Sequence, residues 1–164
     1  LSAEEWRLLN AFFERVAPCC RRVRALQGNH DAALDALAGR HPALSVHDRH
    51  QEAGWLYVHG DQLPELDDAV ARLAIGHEHP ALTLRDPVTG RRERFKAFLR
   101  GRFRGRALWV LPSSNALVRG TDLAERGPLS PLLREARWRE FEVFARDDGG
   151  AIYPFGPLDR LIPS

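Results

Sequence analysis

Trp6, Leu9, Phe13 and Val16 follow one another at intervals of three, four and three residues, the spacing that lines one face of an α-helix. Ser2-Ala3-Glu4-Glu5 ahead of them reads as a capping box, in which a hydroxyl and a carboxylate satisfy free amides of the first turn, and Pro18 ends the helix. Residues 23–27 then read as a short buried strand that delivers Gly28-Asn29-His30-Asp31 into a loop. A second helix is expected over 32–38 and strands over 43–46 and 55–58. Residues 64–73 carry a first-turn proline with acids near the start, which predicts a third helix before a strand ending at Gly76 and His77.

After Pro80 the pattern becomes β-rich, with strands expected over 82–85, 93–99, 107–111, 140–145 and 152–155. Asp86-Pro87-Val88-Thr89-Gly90 is a turn cluster and Asp148-Gly149-Gly150 a hairpin signal. Trp55, Trp109 and Trp138 fall in strand patterns and are expected in the core. No repeat, low-complexity tract or linker divides the chain, so one domain over 1–164 is expected, a length able to bury a sizeable core.

Composition narrows the classes. No apolar run approaches the roughly 20 residues that cross a bilayer, and no secretory leader pattern opens the sequence, so no membrane partner is expected. Cys19 and Cys20 are adjacent, a poor arrangement for a disulfide and no metal-ligand spacing, which points to a reducing, cytoplasmic location. A net charge of +2 does not by itself argue for a nucleic-acid partner. Its distribution does more: Arg91, Arg92, Arg94, Lys96, Arg100, Arg102, Arg104 and Arg106 stand against Glu93 alone, a stretch able to track a polyanionic backbone or to form a solvated hairpin face.

Three histidine-bearing strings carry the candidate chemistry: Gly28-Asn29-His30-Asp31, Val58-His59-Gly60-Asp61 and Gly76-His77-Glu78-His79. An amide oxygen and several imidazoles suit borderline cations such as Mn²⁺, Zn²⁺ or Fe²⁺. Each part has a plainer reading: His77 and His79 as two same-face side chains of a strand, the glycines as turn residues, Asp31 as a helix N-cap, Asp61 as a solvated carboxylate. His41, His47 and His50 lie in a polar stretch and read as surface or loop residues. No Gly-x-Ser-x-Gly elbow surrounds Ser113 or Ser114, no Gly-x-x-x-x-Gly-Lys loop is present, and His77 and His79 are two apart rather than four, so serine hydrolase, NTP-binding and zincin readings fail.

The order of these strings resembles the last three of the five motifs of the calcineurin-like, binuclear metallophosphoesterase superfamily. Gly76-His77-Glu78-His79-Pro80-Ala81 is similar to the signature of a branch that includes archaeal predicted phosphoesterases and bacterial DNA-ligase-associated phosphoesterases. Leu111-Pro112-Ser113-Ser114-Asn115, Gly120-Thr121-Asp122, Phe141-Glu142-Val143 and Ile152-Tyr153-Pro154 also look like that branch, so the likeness covers nearly the whole chain. The resemblance implies an α/β fold, a β-sandwich with flanking helices, lacking its first strands. It implies two divalent ions, Mn²⁺ foremost, with Asn29, His59 and His77 ligating one and His79 the other. It implies a metal-dependent phosphodiesterase or nuclease in which the ion pair polarises a phosphate ester and activates water. His30 would act on the phosphoryl group or protonate the leaving oxygen, and Asp31 would orient it.

The superfamily's Asp-x-His and first Gly-Asp do not precede Asn29, and the sequence contains no methionine. The expectation is that the sequence begins just after that Gly-Asp. The alternative is a catalytically impaired fragment or pseudoenzyme acting as a binding module, and in-frame coding for the two motifs ahead of Leu1 discriminates between them.

Overall fold

The computed structural model describes residues 3–31, 34–115, 117–147 and 149–161, leaving aside the side chain of Glu5. Ser2 and the side chain of Glu5 from the capping box, the start of the expected second helix at Ala32 and Ala33, and Asp148 of the hairpin signal therefore lie outside what is described. The chain is mixed α/β, mostly β-sheet with three α-helices among the described residues, and forms two compact units, Leu1–His50 and Gln51–Ser164. No described helix is long and apolar enough to cross a membrane.

In the first unit, helix α1 (Ala3–Val16) lays its periodic face onto a small core of Phe13, Leu37 and Leu44, flanked by Trp6, Leu9 and Val23. Strand β1 (Val23–Leu26) runs parallel to β2 (Leu44–His47), and the short α2 (Leu34–Ala38) lies between them in sequence, burying Leu37. His41, read as a surface histidine, is half-buried and shares a 2.8 Å hydrogen bond with Asn10 Oδ1.

A nine-stranded sheet dominates the second unit. Its strands are β3 (Arg49–Glu52), β4 (Trp55–Val58), β5 (Arg72–Ile75), β6 (Pro80–Arg85), β7 (Arg92–Phe103), β8 (Arg106–Val110), β9 (Thr121–Asp122), β10 (Glu142–Arg146) and β11 (Ile152–Pro157). The main order is β11-β10-β7-β8-β5-β4-β3, with β6 against β7 and β9 against β6. Strands β4, β5 and β8 are mutually parallel, so their carboxyl ends share one edge. The 12-residue β7 is the longest strand and serves three partners, β6 with its first half, β10 with its middle and β8 with its end. Alternate residues Leu56, Leu73, Ile75, Leu108, Val110, Leu99 and Val143 form the buried face, covered by Leu132 and Leu133 of α3 (Pro131–Glu135) and by Phe141 and Leu158.

Three expectations change. Residues 64–73 form no helix: Asp67 Oδ1 accepts the amides of Ala69 and Val70 at 2.9 and 3.1 Å, and Arg106 takes the carbonyls of Val70 and Asp67 at 2.7 and 3.0 Å. A side chain offering the backbone these alternatives outcompetes the first helical turn. Trp55 and Trp109 do lie in strands, but on the face opposite Leu56 and Leu108; both are half-buried, with the guanidinium groups of Arg72 and Arg100 each 5.6 Å from the ring. Trp138 sits in a 3₁₀ turn (Trp138–Glu140) and packs against the core from there.

The basic stretch is also less unbalanced than its sequence suggests. Arg92 and Arg94 pair with Glu125, Arg100 with Glu142 and Arg104 with Glu135, all carboxylates at least 31 residues away.

Gly101 gives the packing a sharp test. A Cβ at this position would lie 2.1 Å from the ring of Phe141, itself 2% exposed. Gly101→Ala is expected to lower stability by about 1–3 kcal/mol through overpacking, read as a lower urea midpoint with an unchanged m-value. An unchanged midpoint would show that the Phe141 ring moves aside freely.

Candidate metal centre

The candidate site residues of the second unit stand where its parallel strands end, the edge at which open α/β sheets bind ligands. His59 follows β4, Gly76 and His77 follow β5, and the 111–115 loop follows β8. The carbonyl of His59 accepts the amides of Gly76 and His77 at 3.0 and 2.9 Å, which extends the β4–β5 ladder one step past the strands. Side chains continue this contact: His77 Nδ1 and His59 Nε2 are 3.0 Å apart, with ring centroids at 4.9 Å. Gly60, at φ 102°, is required here, since a Cβ would lie 2.8 Å from that of Ile75.

His77 and His79 do not form the same-face pair of a strand, because residues 76–79 make a turn between β5 and β6. His79 adopts φ 47°, uncommon for a residue with a Cβ, and its carbonyl accepts the Thr121 amide at 2.8 Å. Burial, then the charges of His59 and Lys96, hold the His79 imidazole below the usual histidine range, favouring the neutral, lone-pair-bearing form. Lys96 in turn donates to the carbonyls of Ser113 and Asn115 at 2.7 and 2.5 Å, tying the loop after β8 to β7.

Glu78, between the two histidines, turns inward and is fully buried. Its Oε2 accepts the amides of Leu129 and Ser130 at 2.9 and 2.8 Å, and Ser130 Oγ donates to the Gly60 carbonyl at 2.7 Å. One buried chain of hydrogen bonds thus fastens the turn carrying His77 and His79 to the residue after His59. Burial raises the Glu78 pKa, while Ser130, Leu129 and Arg134 oppose the rise. Sequence reading missed Glu78, Ser130 and Lys96. A charged residue between two histidines was the visible cue for Glu78, whereas nothing local links it to residue 130.

In the first unit, Asn29 and His30 occupy an exposed turn after β1. Asp31 closes it: its Oδ2 accepts the Gly28 amide at 2.9 Å while its own amide donates to the Gly28 carbonyl at 3.1 Å. The side chain therefore bonds back into the loop, and its carbonyl accepts the Leu34 amide at 3.0 Å. The structure thus brings His59 and His77 into contact and couples His79 to His59 electrostatically, while Asn29, His30 and Asp31 belong to the other unit. Asp61 is partly buried beside Gly60 in sequence.

The donor chemistry fits a borderline cation. Two imidazole nitrogens on one tetrahedral ion at about 2.0–2.1 Å lie about 3.3–3.4 Å apart, somewhat more than the 3.0 Å hydrogen bond between His59 and His77, whose shared proton an ion would have to replace. Among the described residues, no group of three or more His, Cys, Asp or Glu side chains is arranged to hold a metal ion.

His79 makes the stability of the chain pH-dependent in a calculable direction. Its folded pKa is lowered, so as pH falls the unfolded chain takes up the proton first; this contribution is complete above about 6.5 and is lost as pH falls through the folded value. The denaturant midpoint is expected to drop between pH 7.5 and pH 5.5, and to drop less in His79→Asn, which keeps a side chain tolerant of positive φ. Parallel pH profiles for the two proteins would remove His79 as the source.

No family model matches the chain, and neither a curated protein nor a solved structure matches it.

Proposed function

We propose that this chain belongs to a metal-dependent phosphoric ester hydrolase, a phosphodiesterase or nuclease of the calcineurin-like metallophosphoesterase type. The observation that carries the reading is the hydrogen-bonded His59–His77 pair at the carboxyl ends of adjacent parallel strands. His59 and His77 would hold one divalent cation and His79 the other, Mn²⁺ foremost, with Zn²⁺ or Fe²⁺ suited to the same donors. When bound, the cations supply Lewis-acid polarisation of the phosphoryl oxygens and lower the pKa of water. The Glu78–Ser130–Gly60 chain keeps the two histidine loops in register, and His30 is the proposed general acid, on a loop that the Asp31 carboxylate shapes by accepting the Gly28 amide. The free Cys19 and Cys20 suit a reducing compartment, and we place the protein in the cytoplasm.

Calorimetric titration with Mn²⁺ tests the ligand set. His59→Ala and His77→Ala are each expected to weaken Mn²⁺ binding at least tenfold, and hydrolysis of bis(p-nitrophenyl) phosphate is followed in the chain and in the chain extended by whatever is encoded in frame ahead of Leu1. Mn²⁺ affinity indifferent to both substitutions would overturn the metal assignment. Mn²⁺ binding without hydrolysis in either form would leave the alternative, a catalytically impaired binding module.

A further inference from the structure

Strand register gathers positive charge on one face of the sheet at the start of β7. Arg85 of β6 stands opposite Arg92, and Arg146 of β10 opposite Lys96, with Arg94 between them on the same face. Like charges directly opposite one another destabilise a sheet, so two such pairs on one face call for an anionic partner. Within the chain, Glu125 answers Arg92 and Arg94, and Lys96 donates to two carbonyls. Arg85, Arg119 and Arg146, all exposed, have no carboxylate partner among the described residues. Of these, Arg119 and Arg146 line a cleft of about 500 Å³ on this face together with Arg92, Arg94 and Lys96.

The cleft is framed by the turn between β6 and β7, the turn between β10 and β11, and the loop carrying Leu117 and Arg119. The two most exposed large hydrophobic side chains among the described residues stand on this frame, Val88 at 91% and Leu117 at 89%. Both tips are fixed in the same way: Asp86 Oδ1 accepts the Val88 amide at 2.8 Å, and Asn115 Oδ1 accepts the Leu117 amide at 2.9 Å. Ile152, also exposed, joins the cationic face through its register opposite Arg146. Phe95 and Tyr153 project from the opposite face, so the cleft meets its partner with guanidinium groups and aliphatic tips. Single-stranded nucleic acid is met by rings on which bases stack. Aliphatic side chains beside basic ones suit an anionic bilayer, where the apolar groups enter the boundary between headgroups and acyl chains while the cations stay among the headgroups.

We propose that this face docks on the surface of an anionic phospholipid bilayer, with Val88 and Leu117 entering the headgroup boundary and Arg85, Arg119 and Arg146 on the lipid phosphates. This is a surface contact and not a crossing. It replaces the expectation of no membrane partner, which rested on the lack of an apolar run long enough to span. All of these residues lie in the second unit and none is a proposed metal ligand, so the inference does not rest on the hydrolase reading.

Co-sedimentation with vesicles tests it, using phosphatidylcholine alone and equal parts of phosphatidylcholine and phosphatidylserine. The chain is expected on the mixed vesicles and not on phosphatidylcholine, with binding that falls as salt screens the surface charge. Arg119→Glu and Arg146→Glu should each weaken binding about 10- to 30-fold, since each removes two charge units at about fivefold apiece. Val88→Ser and Leu117→Ser should each weaken it about 3- to 10-fold and leave the salt dependence unchanged. In Val88→Trp, the added emission should move to shorter wavelength with the mixed vesicles and be quenched by brominated acyl chains. Thermal melting checks every variant, and Val88→Trp decides the matter should a charge reversal fail to fold. His77→Ala, expected to lose Mn²⁺, should bind vesicles as the parent does, which keeps this test separate from that of the metal centre. No binding to the mixed vesicles would overturn the proposal. So would vesicle binding indifferent to Val88→Ser and Leu117→Ser while an oligothymidylate binds more tightly and is lost in Arg119→Glu, a result that assigns the face to nucleic acid.

Discussion

Replacing Glu78 with leucine is expected to lower the stability of the chain by about 2–4 kcal/mol, since it strands the buried amide of Ser130 and the part-buried amide of Leu129 that now donate to one carboxylate oxygen. At this chain length that corresponds to a fall in melting temperature of very roughly 5–15 °C. Glu78→Gln keeps an oxygen that can accept both amides, so most of the loss should be absent there. The pair of substitutions separates hydrogen bonding from packing, because leucine fills a similar volume with no acceptor. In ¹⁵N-edited histidine spectra, Glu78→Leu should also disturb the His59 and His77 signals through Ser130 and Gly60, to which the carboxylate is joined. A leucine variant as stable as the parent would mean that the 129–130 amides find water or another acceptor without cost.

The largest kinetic effect is expected at His30. On the proposed hydrolase reading, His30→Ala should leave Mn²⁺ affinity nearly unchanged while turnover falls about 10²- to 10⁴-fold, the usual worth of a general acid. His77→Ala should lose Mn²⁺ and activity together, since its imidazole is half of the 3.0 Å pair with His59. Leaving groups of low pKa need no proton, so bis(p-nitrophenyl) phosphate should suffer less from His30→Ala than an alkyl phosphodiester. Equal losses for both substrates would assign His30 to charge on the phosphoryl oxygens instead. Loss of Mn²⁺ affinity in His30→Ala would mark it as a ligand and overturn its proposed role.

Much of the chain's order is local and could be read locally. The face of α1 follows from Trp6, Leu9, Phe13 and Val16, and the β6–β7 hairpin from Asp86, whose carboxylate accepts the amides of Val88 and Thr89 at 2.8 and 3.1 Å. Strands β4, β5 and β8 fall close to where alternation places them, and the histidine strings stand at strand ends as expected. Two hairpins escaped notice, Ala53-Gly54 between β3 and β4 and Arg104-Gly105 between β7 and β8, because alanine and arginine at φ near 48° carry none of the usual asparagine or aspartate signal.

What only the tertiary structure decided are interactions between residues far apart in sequence, where no periodicity reports the partner. Arg106 takes the carbonyls of Asp67 and Val70 from across the sheet, and the helix expected over 64–73 does not form. Glu125, Glu135 and Glu142 reach back to pair with four arginines of a run that looks nearly unopposed in sequence. Histidines 18 positions apart become hydrogen-bonded neighbours because β4 and β5 pair in parallel, register Val58 against Ile75, and end together. Residue type and spacing determined which chemistry the chain can offer; strand order and buried hydrogen bonds, set by the core as a whole, decided which of those residues meet.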